Sequence, residues 1–239
     1  MAWQEIRTLF HAATRAPLAR HSPLPRNEVT TGAVDKAPIV TMRDVAFRYQ
    51  THGRPVLQGC NLELYRGERL LLEGPSGGGK STLAGILAGL RSPQSGLLLL
   101  HNVDQQTMGI GAWRERVVAA PQFHENYILT GTLAFNLLMG RCWPPQPQDI
   151  TAAEALCREL GLGDLLDRMP AGIQQMVGES GWQLSHGERS RVYIARALLQ
   201  DADLLILDES FAALDPANLE RALATVLTRA QTLLVIAHP

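Results

Sequence analysis

Along the 239 residues the apolar positions change period several times. Trp3, Ile6, Phe10 and Ala13, with Leu9 beside them, recur at helical spacing and predict a short amphipathic helix over residues 1–14. Alone it would be marginal, since isolated helices need about 12–15 residues to persist in water. Over residues 15–38 the period is lost. Pro17, Pro23, Pro25 and Pro38, with Ser, Thr and Gly between them, predict a linker. From Ile39 onward a period of two takes over. "IVTMRDVAFRY" and "VLQGCNLELY" predict strands, and the alternation from Asn61 to Tyr65 leaves one face for solvent. "RLLLE", residues 69–73, is apolar at successive positions, which predicts a central strand covered on both faces. It runs through a glycine-rich stretch into "LAGILAGL", a helical pattern.

Further strands are predicted at "LLLL" and "RVVAAPQ". Residues from about 123 to 200 then lean helical, through "TGTLAFNLLMG", "DITAAEALCRELGL" and "GERSRVYIARALL", with the proline-rich connector "CWPPQPQ" between them. The chain returns to strand, helix, strand in "DLLILDE", "PANLERALATVLTRA" and "TLLVIAHP". The pattern predicts an α/β domain over residues 39–239 with a helical subdomain at about 123–200.

Composition narrows this little. With 46% hydrophobic and 19% charged residues, the chain is neither disordered nor fibrous, and it is long enough for a large core. A net charge of −1 gives no electrostatic footprint for nucleic acid, and none is expected as a partner. Cys60, Cys142 and Cys157 form no CxxC pair and are expected to be reduced packing residues, with no metal-ligand spacing around them. No apolar run reaches the roughly 18–20 residues that span a bilayer, and the N-terminus lacks the apolar core of a signal peptide. Docking on a membrane protein remains open.

Chemistry enters at "GPSGGGKS", which fits G-x-x-x-x-G-K-[ST] from Gly74 to Ser81. Gly74, Pro75, Ser76, Gly77, Gly78 and Gly79 form a loop whose backbone N–H groups can face inward on phosphate oxygens. Lys80 can reach the β- and γ-phosphates, Ser81 can ligate Mg²⁺, and Thr82 adds a donor near the α-phosphate. Strand, glycine loop, helix is the order such a site requires. Later, the apolar run from Leu204 to Leu207 delivers Asp208 and Glu209 to the carboxyl end of a strand, where ligands of open α/β sheets bind. Asp208 is expected to hold Mg²⁺ through water, and Glu209 to orient the attacking water. A nucleoside triphosphate with Mg²⁺ is the implied ligand, and a P-loop NTPase core is the implied fold; these two motifs do not say which NTPase.

"LSHGE", Leu184 to Glu188, leads into "RSRVYIARALL" about twenty residues before the acidic pair. This resembles the signature of ATP-binding cassette (ABC) ATPases, usually Leu-Ser-Gly-Gly-Gln followed by a helix with an Ala-Arg-Ala-Leu stretch. The resemblance runs from about Ile39 to the last residue. It implies the ABC ATPase fold: a P-loop core with an antiparallel β edge and a helical signature subdomain. It also implies roles by position. Tyr49 matches the aromatic that stacks on adenine, and Gln122 the glutamine that reaches metal and water. Asp215 in "AALD" matches the acid of the D-loop, and His238 the switch histidine at the γ-phosphate. In such cassettes ATP is bound head to tail by a pair, identical or different, so Ser185, Gly187 and Glu188 are expected to meet the nucleotide held by a second cassette.

Two stretches are similar to exporter cassettes: "FHENYILTGTLAFNLLMG" after Gln122, and "VGESGWQ", where Gly178, Glu179 and Gly181 match a Gly-Glu-x-Gly loop. The resemblance then implies an ATPase subunit or domain at the cytoplasmic face of a membrane, energising an integral membrane transport domain. Residues 1–14 become the stub of a transmembrane helix or a docking segment. His186 departs from the family's first signature glycine, and Glu188 from its usual glutamine. The chain is also C-terminally short: it ends at "AHP", where most cassettes continue, so that lobe is expected to be less stable or to depend on a partner. Two alternatives stay open: an ATP-gated assembly module with little hydrolysis, and a soluble, non-transport ABC ATPase.

Overall fold

The computed structural model describes residues 37–50, 53–120, 122 and 127–237. The helix expected over residues 1–14, nearly all of the linker and His238 lie outside the described residues.

Two four-stranded sheets share the domain. In the first, β1 (Val40–Phe47) pairs antiparallel with β2 (Leu57–Leu64) and with β4 (Ser95–Leu100), and β5 (Val103–Asp104) extends it in the order β2-β1-β4-β5. The second is parallel: β3 (Arg69–Glu73), β10 (Leu233–Ala237), β9 (Leu204–Asp208) and β6 (Val117–Ala120), in the order β3-β10-β9-β6. Parallel neighbours need crossovers, and these are helical. α1 (Lys80–Leu87) follows β3, and α8 (Pro216–Arg229) joins β9 to β10.

The parallel sheet separates two cores by the strand period of two. Val117, Leu204, Ile206, Leu234 and Ile236 face Ile86 and Leu87 of α1 and Leu98 and Leu100 of β4. Val118, Ala120, Leu205, Leu207 and Leu233 face the helical residues. β9 is buried at every position because both faces are covered and both edges paired.

β3 corrects an expectation. Its apolar run suggested a central strand, yet among the described residues it pairs only with β10 and sits at the sheet's edge. Leu71 is 57% exposed and Leu70 37%. Apolarity at consecutive positions reports a strand that two covers could bury; it does not report whether both covers are present.

Between β4 and β6 lie two short helices absent from the apolar pattern, α2 (Gln105–Met108) and α3 (Ile110–Arg116). Asp104 caps α2, its Oδ1 accepting from the N–H groups of Gln106 and Thr107, each at 2.9 Å. The stretch from 127 to 200 holds α4 (Leu133–Leu138), α5 (Pro147–Glu159), α6 (Gly163–Arg168) and α7 (His186–Leu198). It is not purely helical: β7 (Gly131–Thr132) and β8 (Met176–Val177) form a small antiparallel ladder. Among the described residues no helix is long and apolar enough to cross a membrane.

Candidate functional site

The register of the parallel sheet builds the site. Glu73 of β3 lies opposite Ala237, and Asp208 of β9 opposite Ile236, so both strands end on the same side and within one residue of each other along β10. The loop from Gly74 to Gly79 therefore starts beside the Asp208–Glu209 pair.

Gly79 is the N-cap of α1, with φ 86° and no side chain capping the first turn. An added Cβ would lie 2.9 Å from Leu57 Cδ2 and 3.0 Å from the Val56 carbonyl oxygen, so glycine is required by conformation and by space. The uncapped N–H groups of α1, at the positive end of the helix dipole, are suited to an anion. Lys80 is held by its own loop, its Nζ donating to the carbonyls of Gly74 at 2.7 Å and Pro75 at 3.0 Å. Those two residues thus position the ammonium rather than line the cavity. The cavity itself, about 270 Å³, is bounded by Tyr49, Val56, residues 76–82, Gln122 and Glu209.

One amide ties the loop to the acidic pair. Gln122 Nε2 donates to Ser81 Oγ at 3.1 Å and to Glu209 Oε1 at 2.9 Å. Glu209 adopts φ 50°, uncommon for a side chain other than glycine, and its N–H donates to the Ile236 carbonyl at 3.0 Å. Such strain is held in place by its surroundings and clusters at functional sites. Asp208, one residue earlier, is only 3% exposed. Hydroxyl, amide and carboxylate oxygens make a hard donor set that fits Mg²⁺. No group of three or more His, Cys, Asp or Glu residues gathers among the described residues, as a softer transition metal would want.

The signature stretch lies elsewhere on the chain's surface. Ser185 is the N-cap of α7: its Oγ accepts from the Glu188 N–H at 3.2 Å, and Glu188 Oε2 accepts from the Ser185 N–H at 2.7 Å, a complete capping box. Glu188 Oε1 also accepts from Arg168 Nη2 at 2.8 Å. The Glu188 side chain is therefore committed within its own chain. Ser185 and His186 are exposed. At Gly187 an added Cβ would lie 3.4 Å from the Ala213 carbonyl, so the signature rests on the "AALD" turn. There Asp215 caps α8, its Oδ1 accepting from the Asn218 N–H at 3.1 Å and its Oδ2 from Asn218 Nδ2 at 2.6 Å. These bonds, the side-chain one foremost, hold its carboxyl below the usual range. None of Ser185, Gly187, Glu188 and Asp215 borders the cavity.

The two exporter-like stretches meet through the β7–β8 ladder. Gly178, at φ 98°, closes against Thr130, whose Cα would stand 2.9 Å from an added Cβ. Behind the ladder, Asn136 is fully buried. Its Oδ1 accepts from the Leu129 N–H, and its Nδ2 donates to the carbonyls of Leu129 and Thr132. Arg196 of α7 donates to the Asn136 carbonyl at 2.6 Å, and burial pushes its guanidinium pKa down to about 10. Both lie in stretches that the sequence singled out, Asn136 in "TGTLAFNLLMG" and Arg196 in the Ala-Arg-Ala-Leu stretch, but their burial and their contact with each other were not read from it. An asparagine inside the apolar row "LAFNLL" was the available signal, because a buried amide needs partners.

Residues 57–212 match the family described as ABC transporter. The chain belongs to the ABC transporter family. It is 43% identical over 213 residues to the mycobactin import ATP-binding/permease protein IrtB of Mycolicibacterium thermoresistibile, covering 87% of this chain and 34% of that protein. It is 38% identical over 201 residues to the ABC multidrug transporter mdr4 of Aspergillus fumigatus, 82% of this chain and 15% of the relative. Among solved structures, a bacterial Atm1-family ABC exporter with ATP bound superposes with a TM-score of 0.75 at 31% identity, over 87% of this chain and 36% of that one. The fold is that of an ABC ATPase, and this chain spans about a third of the length of IrtB.

Proposed function

We propose that this chain is the ATP-hydrolysing cassette of an exporter-type ABC transporter, working in a head-to-tail pair beneath an integral membrane domain at the cytoplasmic face. One observation carries this. A single chain assembles the phosphate loop, Gln122 and Glu209 around one cavity, while Ser185 and His186 stand exposed at the start of α7, outside it. The start of α7 lies exposed outside the cavity, at the positive end of its helix, where a phosphate held by another cassette could approach. The relatives' names, which join ATP-binding to permease or transporter, support the membrane partner. Because one relative is named for import and the matched structure for export, "exporter-type" here describes an architecture.

In the reaction, ATP and water give ADP and phosphate, and the protein mainly positions and neutralises. Mg²⁺ would be held by Ser81, Gln122 and Asp208, and would supply charge neutralisation at the phosphates. Lys80 presents its ammonium at the mouth of the loop. Glu209, oriented by Gln122, aligns the attacking water and accepts its proton as the bond to phosphorus forms. Tyr49 supplies a ring for the base, and His238 is assigned to the γ-phosphate by its place in the sequence. Removal of that phosphate loosens the pair, which is how hydrolysis would drive a cycle.

The test is Glu209→Gln. Binding of MgATP by isothermal titration should stay within a few-fold of the parent, while phosphate release drops by roughly a hundredfold or more. Undiminished turnover in that variant would remove Glu209 from the chemistry and favour another base.

A further inference from the structure

Tyr49 is 58% exposed as a residue, yet its ring is held from three directions. Its hydroxyl shares a 2.9 Å hydrogen bond with Thr82 Oγ1. The Phe47 ring meets it edge-on, with centroids 5.2 Å apart at 85°. The Arg91 guanidinium lies over the ring, 4.8 Å from its centroid. Arg91 sits just beyond α1 and reaches back along it, its Nε lying 3.3 Å from where a Cβ on Gly85 would be. Gly85 is one helical turn after Thr82, so α1 offers a side-chain-free track for the arginine. Among the described residues Arg91 has no carboxylate partner. Tyr49 borders the nucleotide cavity and Arg91 does not.

We infer that Arg91 is a positioning residue for the nucleobase: it clamps the Tyr49 ring from outside the cavity so that a purine can stack on the remaining surface. This rests on the nucleotide reading of the cavity given above and names a residue that reading leaves unassigned. An exposed aromatic ring free to rotate loses freedom when a base docks on it, and a ring already fixed loses less. The guanidinium, flat and always charged, is attracted to the ring's electron-rich face and is suited to stacking in a way an alkyl chain is not. Arg91 acts through Tyr49, so its effect belongs to the base and not to the phosphates.

The full chain is titrated with MgATP and, separately, with magnesium tripolyphosphate, which has no base. Arg91→Met should weaken MgATP by roughly two- to fivefold, the range expected for an exposed cation–π contact. Tripolyphosphate affinity should not change, Arg91→Lys should recover part of the loss, and the loss should vanish in a Tyr49→Leu background. Equal weakening of both ligands, unchanged MgATP affinity, or a loss that persists without Tyr49 would each overturn the assignment of Arg91. A parent chain that binds neither ligand would overturn the nucleotide reading itself, and this inference with it.

Discussion

Gly79 concentrates the site's demands in one residue. Its φ of 86° and the 2.9 Å approach of Leu57 Cδ2 leave no room for a side chain. Gly79→Ala is expected to cost about 1–2 kcal/mol from the left-handed backbone alone, lowering the melting temperature by roughly 2–8 °C. It should also weaken MgATP, because relief of the clash moves the loop; both are read in one thermal-shift series with and without nucleotide. The cysteines make a second residue-scale case. Burial pushes the Cys157 thiol up to about 12, so at pH 8 it stays protonated, while Cys142 is exposed. Since the thiolate is the nucleophile, iodoacetamide under native conditions should label Cys142 and spare Cys157, which peptide mass spectrometry reports directly. All three cysteines were expected to be packing residues; Cys157 does pack in the core, Cys142 is exposed and does not, and the direction of the Cys157 shift needed the surrounding fold.

At the scale of elements, Asn136 is the tie between the β7 strand, α4 and α7. Asn136→Leu keeps the branched outline, with bulkier methyl ends, but strands the backbone groups of Leu129 and Thr132 and removes the Arg196 contact to its side chain. Buried groups left without partners cost about 2 kcal/mol here, a drop of roughly 4–8 °C in melting temperature. Circular dichroism melts of the variant check this; a drop below 1 °C would mean that water reaches those groups. The strands β1, β2, β9 and β10 and the helices α1, α5, α7 and α8 were legible because each has a sustained period. α2, α3, α6 and the β7–β8 ladder were not, because helices of four to seven residues complete less than two turns, two-residue strands show a single alternation, and both depend on caps and pairing. β3 failed differently: its pattern was right for a strand and silent on its place in the sheet order.

For the molecule as a whole, the site is divided between one assembled cavity and one exposed helix start. If two identical chains complete each other head to tail, Lys80→Ala and Ser185→Arg are each inactive alone, by opposite halves of the same pocket. Mixed in equal amounts, they should regain about a quarter of parental ATPase activity, since half the pairs are hybrid and each hybrid has one intact pocket. No recovery on mixing would show that identical chains do not complement each other.

What the sequence determined by itself was chemistry tied to local order: Gly74 to Thr82 between strand and helix, Asp208 and Glu209 after a buried run, and Leu184 to Glu188 at the start of a helix. These motifs are legible because the backbone geometry they need is set by near neighbours. Tertiary structure alone decided which of them meet. Sheet register brings Glu73 and Asp208 to adjacent rows of β10, the Gln122 amide bridges Ser81 to Glu209, and the Glu188 carboxylate is taken up by Arg168. Such meetings join residues tens of positions apart, and their geometry is fixed by packing between elements, which no local spacing encodes.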